Sequence, residues 1–512
     1  MHDKWRQITG DAEPLRINKR ELLGGMGAAA ALAMMPRISR AASETWDLIV
    51  VGGGSAGLPC AIFAAQQGAR VLVVDRAHRL GGTLDRSLGQ IAAAGTRLQA
   101  AQGIEDSPEA HFDDIMRISK GAVDKELMGV FVREAARTVD WLGEIGFSPM
   151  EGHPVMTGGH EPYLARRYLW SEHNGVAILK VLLKPFFEQV RGGSVEFLIR
   201  TDALELIQDS QGSVRGVMAR GADGRKMDLL SRKVALTTGG CADPAKYEEL
   251  HGVPLYGQLA YPYNLGGGLD MGVGAGGVLR GAECFQTFFG MVLRDFNVPS
   301  TPAGVPVNTA PQSRLPWEMY VNSGGRRFVR EDHPSVDARE HALLAQDEKR
   351  YWIIFDQAIM NAAPSLVRGW DQARMDFAFD KYHFFSRGDS LGELAHWAGI
   401  DADGLAASVK RYNASVASGS DADFGREHLP MPISRPPFHA IRMQGTQLLS
   451  FAGLTVSPQL EVLNESGAPI ANLYAAGEVL GAGATTGFGI VNGMLLTPAL
   501  VFGRMIGERV FA

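Results

Sequence analysis

The sequence predicts an α/β protein built around a parallel sheet, and three stretches carry this prediction. The first is "WDLIVVGGGSAGLPC" at residues 46–60, in which an apolar strand runs into a cluster of glycines. The second is "ARVLVVDR", a strand that follows an alanine-rich helical segment and ends at Asp75 and Arg76. The third is a pair of distant strands, "KVALTTGG" and "ANLYAAGEVLGAG", which also end in glycines. Strands that alternate with helices in this way assemble into parallel sheets.

Composition narrows the class of protein. The 512 residues are 46% hydrophobic and 21% charged, which is enough for a large core and two or three domains. The formal net charge is −6 and no block of lysine and arginine occurs, so we expect no nucleic-acid partner. Cys60, Cys241 and Cys284 lie far apart and form no CxxC, so we expect no structural metal, no attached haem and no disulfide framework.

The N-terminus resembles an export signal. Lys19 and Arg20 precede an apolar run of about twelve residues, which is too short for a membrane span of about 20 residues. Small residues at Ser39 and Ala41 have the spacing of a cleavage site. Residues 1–43 therefore resemble a twin-arginine signal with lysine in place of one arginine, which predicts a periplasmic protein. The alternative is an amphipathic N-terminal segment on a cytoplasmic protein. The glycine-rich final helix predicts no transmembrane segment.

The glycine cluster has the GxGxxG spacing of a dinucleotide site. Gly52 permits a tight turn, Gly54 lets the backbone approach a pyrophosphate, and Gly57 lets helix and strand pack closely. The free N–H groups of the following helix, at Ser55 and Ala56, favour phosphate binding. Asp75 follows Gly57 by 18 residues and is placed to accept hydrogen bonds from a ribose. The unit therefore predicts a bound dinucleotide.

Several stretches then show a family resemblance. They are "VVGGGSAG", "GGTLDRSLGQIAAAGT", "TTGG", "NLGGGLDMGVGAGG", "YVNSGGRRFVRE", "LYAAGEV" and "GMLLTPALVFGRMIGE". Over residues 44–512 the chain resembles the superfamily of FAD-dependent fumarate reductases, succinate dehydrogenases and 3-ketosteroid dehydrogenases. The resemblance implies an FAD-binding domain in two segments, 44–282 and 451–512. It also implies a capping domain at 283–450 and an active site between cap and flavin.

The resemblance implies FAD contacts along the whole chain. No histidine lies in residues 81–99, where some family members attach FAD covalently, so we expect noncovalent FAD. The implied contacts are Gly52, Gly54, Ser55, Ala56, Gly57, Asp75, Arg76, Gly81, Gly82, Thr83, Gly89, Ala94, Ala203, Thr238, Gly239, Gly268, Asp270, Gly477, Glu478, Gly493 and Leu495.

The substrate positions depart from the dicarboxylate reductases of this superfamily. Those enzymes bind carboxylates with two histidines and an arginine, and a cap arginine delivers the proton. The matching positions here hold Phe288, Ser335, Leu449 and Ile490. Because buried carboxylates need cations or bidentate donors, this pocket predicts a neutral substrate. The chain therefore stands nearer the ketosteroid or cyclohexanone dehydrogenases.

In ketone desaturation a base removes the proton α to the carbonyl, and the β-hydrogen leaves as hydride to flavin N5. Gly493 aligns with the glycine whose N–H stabilises the enolate oxygen in the steroid enzymes. Their catalytic tyrosines are missing, so the candidate proton acceptors are His333, Tyr261 and Tyr263. A surface-loop role for His333 and core packing for the tyrosines are the alternatives.

Two further groups complete the sequence-based predictions. Arg167, Tyr168 and Trp170 belong to a segment that resembles the family's substrate-side strand, with an ordinary salt bridge and packing as the alternatives. The acids of "REDHPSVDARE" alternate with basic residues and predict a solvated, ion-paired segment.

The leading functional prediction is an FAD-dependent desaturase of a neutral cyclic ketone. The second is a periplasmic reductase of an activated C=C bond in an enoate other than fumarate. The third is a non-catalytic flavin protein that transfers electrons or binds a ligand. In each enzymatic case electrons pass to or from a separate partner, such as a quinone, a cytochrome or oxygen.

Overall fold

The computed structural model describes residues 45–256, 260–293, 309, 314–447 and 449–511. The signal-like segment predicted for residues 1–43 lies outside them. The strands are β1 (Thr45–Val51), β2 (Val71–Asp75), β3 (Ile91–Ala92), β4 (Tyr168–Leu169), β5 (Val195–Ile199), β6 (Asp202–Gln208), β7 (Val214–Arg220), β8 (Lys226–Leu236), β9 (Leu279–Arg280), β10 (Phe288–Met291), β11 (Met319–Val321), β12 (Arg350–Asp356), β13 (Phe385–Gly388), β14 (Phe438–Thr446), β15 (Gly453–Leu454), β16 (Glu461–Leu463) and β17 (Pro469–Ala475).

Helices cover the sheets and connect their strands. They are α1 (Gly57–Gln66), α2 (Arg97–Ala101), α3 (Pro108–Ile118), α4 (Lys125–Glu144), α5 (Asn174–Gly192), α6 (Pro244–His251), α7 (Gly267–Gly274), α8 (Val336–Leu344), α9 (Gln357–Ala362), α10 (Gln372–Lys381), α11 (Leu391–Ala398), α12 (Ala402–Ser418), α13 (Gly483–Thr486) and α14 (Thr497–Glu508). Among the described residues, no helix is both long and apolar enough to cross a membrane.

Within the described residues the larger sheet has eight strands, of which six follow the order β16-β17-β8-β1-β2-β5. The pairs β17–β8, β8–β1, β1–β2 and β2–β5 are parallel, whereas β6 and β7 add an antiparallel hairpin to β8. The central strands are buried on both faces, which explains their continuous apolar sequence. The predicted α/β fold with a parallel sheet is confirmed.

The second sheet is antiparallel and has its own core. It follows the order β10-β14-β12-β11, with β13 paired to β14. Its aromatic and aliphatic core includes Tyr320, Tyr351, Phe355 and Tyr412. All of its strands fall within the segment predicted as the cap, whereas strands on both sides of that segment build the larger sheet. The predicted boundaries at residues 282 and 450 stay predictions.

The glycine turn between β1 and α1 is forced by close backbone packing. Gly52 has a φ of +103°, and a Cβ there would lie 2.4 Å from the Thr237 carbonyl oxygen. A Cβ on Gly57 would lie 1.9 Å from the Gly52 carbonyl oxygen. Neither position accepts a side chain. The turn is therefore tight, and the N-terminal end of α1 lies at the edge of the sheet.

Candidate active site

A cleft of about 790 Å³, open to solvent at its mouth, lies at the carboxyl ends of β1, β2, β8 and β17. Ligands of open parallel sheets bind at this edge. Gly54 and Gly82 face each other across the cleft: a Cβ on Gly54 would meet nothing nearer than Gly82 Cα, at 3.7 Å. The two bare backbones leave a narrow passage of the kind that a pyrophosphate requires.

Asp75 is held rigidly at the end of β2. Its two carboxylate oxygens accept hydrogen bonds from the backbone N–H groups of Gly53 and Ala77, both at 2.8 Å. Burial raises the pKa of Asp75, while these hydrogen bonds and Arg76 oppose the rise. The carboxylate is therefore fixed in position beside the glycine turn, where a ribose would lie.

Most of the predicted FAD contacts line this cleft. Arg76 is oriented by Asp202, to which its Nε donates at 3.0 Å. At the opposite wall the partly buried Glu478 accepts from the Asn264 side chain at 3.1 Å, and desolvation raises the pKa of Glu478 to about 7. The predicted contacts found in the lining are Gly52, Gly54, Ser55, Ala56, Asp75, Arg76, Gly82, Thr83, Ala203, Thr238, Gly239, Gly268, Gly477 and Glu478.

The remaining predicted contacts do not line this cleft. Some glycines are required by packing, because a Cβ on Gly81 would meet Leu179 and one on Gly89 would meet the backbone of Asn174 and Gly175. Asp270 forms a surface ion pair with Lys246. The full set outside the lining is Gly57, Gly81, Gly89, Ala94, Asp270, Gly493 and Leu495.

Tyr261 and Tyr263 lie at the nucleotide end of the cleft. Both line it together with Asp75 and Arg76. The Tyr263 carbonyl oxygen accepts from Arg76 Nη1 at 3.5 Å, and burial followed by the charge of Asp75 raises the pKa of Tyr261. These tyrosines neighbour Asp75 because the turn before α7 folds back toward β2, and their assignment to proton transfer stays a prediction.

The four residues that the resemblance aligns with a carboxylate-binding set lie in separate elements, and that alignment stays a prediction. Phe288 begins β10 and pairs with Thr446 of β14. Ser335 is the N-cap of α8, where its hydroxyl accepts from Ala338 N–H at 3.3 Å. Ile490 belongs to the segment before α14, and Leu449 is buried in a small apolar cluster with Cys284, Phe451 and Ala482.

A partly buried acid–base cluster contacts two of these positions, Phe288 and Ile490, and we call it the α8 cluster: His160, Asp337 and Glu340. One ligand-type atom from each residue lies within 4.8 Å of the other two. His160 Nδ1 donates to Asp337 Oδ1 at 3.3 Å, and the Ile490 N–H donates to the same oxygen at 3.0 Å. The His160 ring packs edge-on against Phe288, with centroids 6.4 Å apart. The cluster therefore joins α8 of the cap to the segment that precedes α14.

Burial and mutual charges shift the pKa values of all three members of the α8 cluster. Burial lowers the pKa of His160, but the hydrogen bond to Asp337 and the charges of Glu340 and Asp337 outweigh this, so the pKa lies above its usual value. Burial raises the pKa of Asp337, but the His160 hydrogen bond outweighs this and the net direction is downward. Burial raises the pKa of Glu340 to about 7.

Sequence reasoning missed this cluster. The acids of "REDHPSVDARE" were expected in solvent, yet Glu331, Asp337 and Glu340 are 0%, 6% and 2% exposed. The solvated part of the expectation is wrong because α8, a helix of the cap, packs against the segment before α14, whereas the ion-paired part holds for Glu331, which binds Arg327. The usable signal was the spacing of three between Asp337 and Glu340, which puts both carboxyls on one face of a helix.

His333 lies just before α8 and does not join the cluster. Its Nδ1 accepts a hydrogen bond from the Ser335 N–H at 3.0 Å, within the turn that starts the helix. The hydrogen bond gives His333 a local structural role. Its assignment as the base stays a prediction.

Arg167, Tyr168 and Trp170 are packed away from the cleft. The Arg167 side chain is 0% exposed and binds Asp106 and Asp114, each at 2.6 Å. Tyr168 is buried in β4, and Trp170 packs edge-on against His153 at 4.1 Å. Their contacts match the salt-bridge and packing alternatives, and their place in the substrate pocket stays a prediction.

Gly493 occupies the turn before α14 with a φ of +80°. A Cβ there would lie 2.6 Å from the Ala92 nitrogen of β3, so only glycine fits. Among the described residues, none accepts a hydrogen bond from the Gly493 N–H. A backbone donor is therefore available three residues after Ile490, whose N–H contacts the α8 cluster.

Comparison with known proteins identifies the family to which the chain belongs. The model of the "FAD binding domain" family matches residues 47–490. The chain belongs to this family. It is 29% identical to a fumarate reductase (cytochrome) of Shewanella frigidimarina, over 94% of this chain and 78% of the relative. It is 28% identical to a vinyl phenol reductase of Lactiplantibacillus plantarum, over 85% of this chain and 90% of the relative.

A solved structure of similar length is the 3-ketosteroid-Δ4-(5α)-dehydrogenase of Rhodococcus jostii RHA1. The TM-score is 0.67 and the identity 25%, over 93% of this chain and 99% of that chain. The protein is thus an FAD-dependent oxidoreductase that acts on CH–CH or C=C bonds, related both to ketosteroid dehydrogenases and to enoate reductases. The glycine passage and the fixed Asp75 carboxylate fit the FAD that this family binds.

Proposed function

We propose that the protein desaturates a neutral cyclic ketone between its α and β carbons. The observation that carries this proposal is the replacement at the substrate positions. Phe288 and Ile490 occupy places where family members that bind carboxylates carry cationic side chains, and the nearby His160 is already paired with Asp337. A buried carboxylate would find no unpaired cation at these positions, whereas a neutral ketone requires none.

The residues divide the chemistry between them. His160 takes the α-proton, because its imidazole packs against Phe288 and Asp337 orients the ring and stabilises the imidazolium that forms. The Gly493 N–H donates to the ketone oxygen as negative charge develops there. When bound, FAD supplies the acceptor for the β-hydrogen and its electron pair. Phe288 and Leu449 exclude water from the reacting carbons.

A second candidate is reduction of the C=C bond of a neutral compound. The observation that favours it is the raised pKa of His160, because a higher pKa favours the protonated imidazole, which is a proton donor. The similarity to a vinyl phenol reductase supports the same direction, since a vinyl phenol carries no carboxylate.

The test mixes the purified FAD-loaded protein, without oxygen, with cyclohexanone, a 3-ketosteroid and 4-oxocyclohexane carboxylate. Bleaching of the visible flavin absorbance by a neutral ketone, with an enone as product, is the expected result. The chemically reduced protein is mixed in parallel with urocanate, a cinnamate and a vinyl phenol. Reoxidation by one of these, with no bleaching by any ketone, rejects desaturation and establishes the reductase.

We also propose that residues 1–43 direct export to the periplasm, where a quinone, a cytochrome or oxygen exchanges electrons with the flavin. The basic pair Lys19–Arg20 before an apolar run supports export. Cell fractionation of the full chain and of K19Q/R20Q tests it: the wild type is expected in the periplasmic fraction and the variant in the cytoplasm. Equal distribution of the two proteins contradicts export by this signal.

A further inference from the structure

Glu340 is the member of the α8 cluster that the proposed mechanism leaves without a task. It lies one helical turn after Asp337 and is 2% exposed. Its Oε1 accepts a hydrogen bond from the Phe289 N–H at 3.3 Å. Its Oε2 is buried and has no hydrogen-bond partner among the described residues. A buried carboxyl with one free oxygen needs either a proton or a neighbouring cation.

The two carboxyls of α8 are held in different states. Asp337 Oδ1 accepts from both His160 Nδ1 and the Ile490 N–H, which stabilises the anion. Glu340 has a single long hydrogen bond, and its burial raises its pKa to about 7. Neighbouring titratable groups whose pKa values are pushed apart divide acid and base roles between them. Asp337 is the fixed anion, and Glu340 is the carboxyl that gains and loses a proton near neutral pH.

Among the described residues, the charges with the largest influence on the Glu340 pKa belong to His160, Asp337 and Arg339. His160 faces it from the loop before β4, and Asp337 and Arg339 face it from α8 itself. The positive charges of His160 and Arg339 favour the Glu340 carboxylate, whereas Asp337 and burial favour the neutral acid. Because the charge of His160 is one of these influences, a change of protonation on His160 shifts the pKa of Glu340.

We propose that Glu340 is a proton-relay residue, which takes over from His160 the proton that the substrate releases. The inference rests on the proposed function. In the step, the Cα–H bond breaks, the electron pair stays on carbon as the enolate, and the proton binds the His160 ring. The proton then moves to the Glu340 carboxylate, which leaves a neutral imidazole and a neutral carboxylic acid. Glu340 acts through His160 and contacts neither substrate nor flavin.

A divalent cation is the competing occupant of the cluster. One histidine and two carboxylates are ordinary ligands of such ions. A proton fits the site better than a divalent cation. Asp337 is already paired with His160, and the positive charge of Arg339 lies near Glu340, so little negative charge is left to attract a metal ion. Metal analysis of the purified holoprotein decides the point. One tightly bound divalent ion per chain, lost in E340Q, overturns the relay.

The first test needs no substrate. Infrared difference spectra of the holoprotein across pH 5–9 report the C=O stretch of protonated carboxylic acids. Glu340 and Glu478 both have a pKa of about 7, so the wild type is expected to show two components. E340Q removes one, and E478Q, the matched control, removes the other. In H160Q the Glu340 component titrates at higher pH, because a positive neighbour is gone. An unchanged spectrum in E340Q, or an unmoved midpoint in H160Q, overturns the proposal.

The second test measures flavin reduction by the ketone across pH. E340Q keeps the shape of the side chain but cannot take the proton, so we expect a loss of about tenfold and an acid limb displaced to lower pH. E340D is expected to restore part of the rate. A wild-type pH profile in E340Q contradicts the relay. If no ketone reduces the wild type, the proposed function fails, while the infrared result still decides whether Glu340 and His160 exchange protons.

Discussion

The cofactor cleft and the α8 cluster are built by different means. The cleft is shaped by backbone: Gly52 and Gly57 leave no room for a Cβ, and Gly54 faces Gly82 across a bare passage. The α8 cluster is made of side chains from distant segments: His160 lies in a loop and forms a hydrogen bond with Asp337 of a cap helix. Backbone constraints leave a contiguous motif in the sequence, whereas a meeting of distant side chains leaves none. The two regions therefore fail in different ways when they are mutated.

The largest effect is expected in the backbone-built region. G57A places a Cβ 1.9 Å from the Gly52 carbonyl oxygen, so the turn and α1 cannot keep their positions. We expect the purified variant to carry almost no flavin, measured by the ratio of visible to ultraviolet absorbance. G192A is the control, since a Cβ there meets nothing within 4 Å. Normal flavin content in G57A contradicts the packing argument.

The side-chain-built region is expected to lose activity without losing flavin. H160Q removes the proposed base, and flavin reduction by the ketone should fall about 10²–10⁴-fold at unchanged FAD content. H333Q, which changes the competing histidine, should lose less than tenfold, because His333 Nδ1 is engaged in the turn before α8. Stopped-flow absorbance measures both. A larger loss in H333Q would return the role of base to that residue.

Arg167 separates a structural cluster from the α8 cluster. R167M leaves Asp106 and Asp114 buried without their cation, which should lower the free energy of unfolding by about 3–5 kcal/mol. R215M, at a pair whose arginine side chain is 52% exposed, should cost about 0–1 kcal/mol. Urea unfolding of the holoproteins gives both values. Equally small losses of unfolding free energy in the two variants would mean that Arg167 does not stabilise a buried ion-pair network.

The smallest effect is a pH-dependent change of stability at Glu340. Its pKa is raised from 4.5 to about 7 in the folded protein, so the folded state holds the proton more tightly than the unfolded state. Stability from this group is therefore complete below pH 4.5 and is lost as the pH rises through 7. E340Q cannot ionise, so it avoids this loss. The free energy of unfolding of E340Q minus that of the wild type should therefore be larger at pH 8 than at pH 4.5, by on the order of 3 kcal/mol. Thermal unfolding at the two pH values measures the gain, and an equal shift at both would contradict it.

The features that could be predicted from the sequence are those set by residues close together in the chain. The strand–glycine–helix unit, Asp75 and the glycine-ended strands β8 and β17 all follow from local pattern and packing rules. The fold and most of the cofactor cleft were therefore within reach. Flanking motifs also located Phe288 and Ile490, and their place in the substrate pocket stays a prediction.

The rest depended on contacts between distant segments. Tyr261 and Tyr263 were assigned to chemistry because they precede the turn into α7, but that turn brings them to Asp75. Asp337 and Glu340 were assigned to solvent because charges of both signs alternate around them. Only the packing of α8 against the segment before α14 shows that these acids are buried.

The central claim is that a neutral ketone gives up its α-proton to His160. The most direct measurement is the anaerobic rate of flavin reduction by one cyclic ketone, with hydrogen or deuterium at its α-carbon, in the wild type and in H160Q. The account predicts rapid bleaching in the wild type, a slower rate with the α-deuterated ketone, and a rate about 10²–10⁴-fold lower in H160Q. Equal rates in the two proteins, or bleaching that only a dicarboxylate produces, would contradict it.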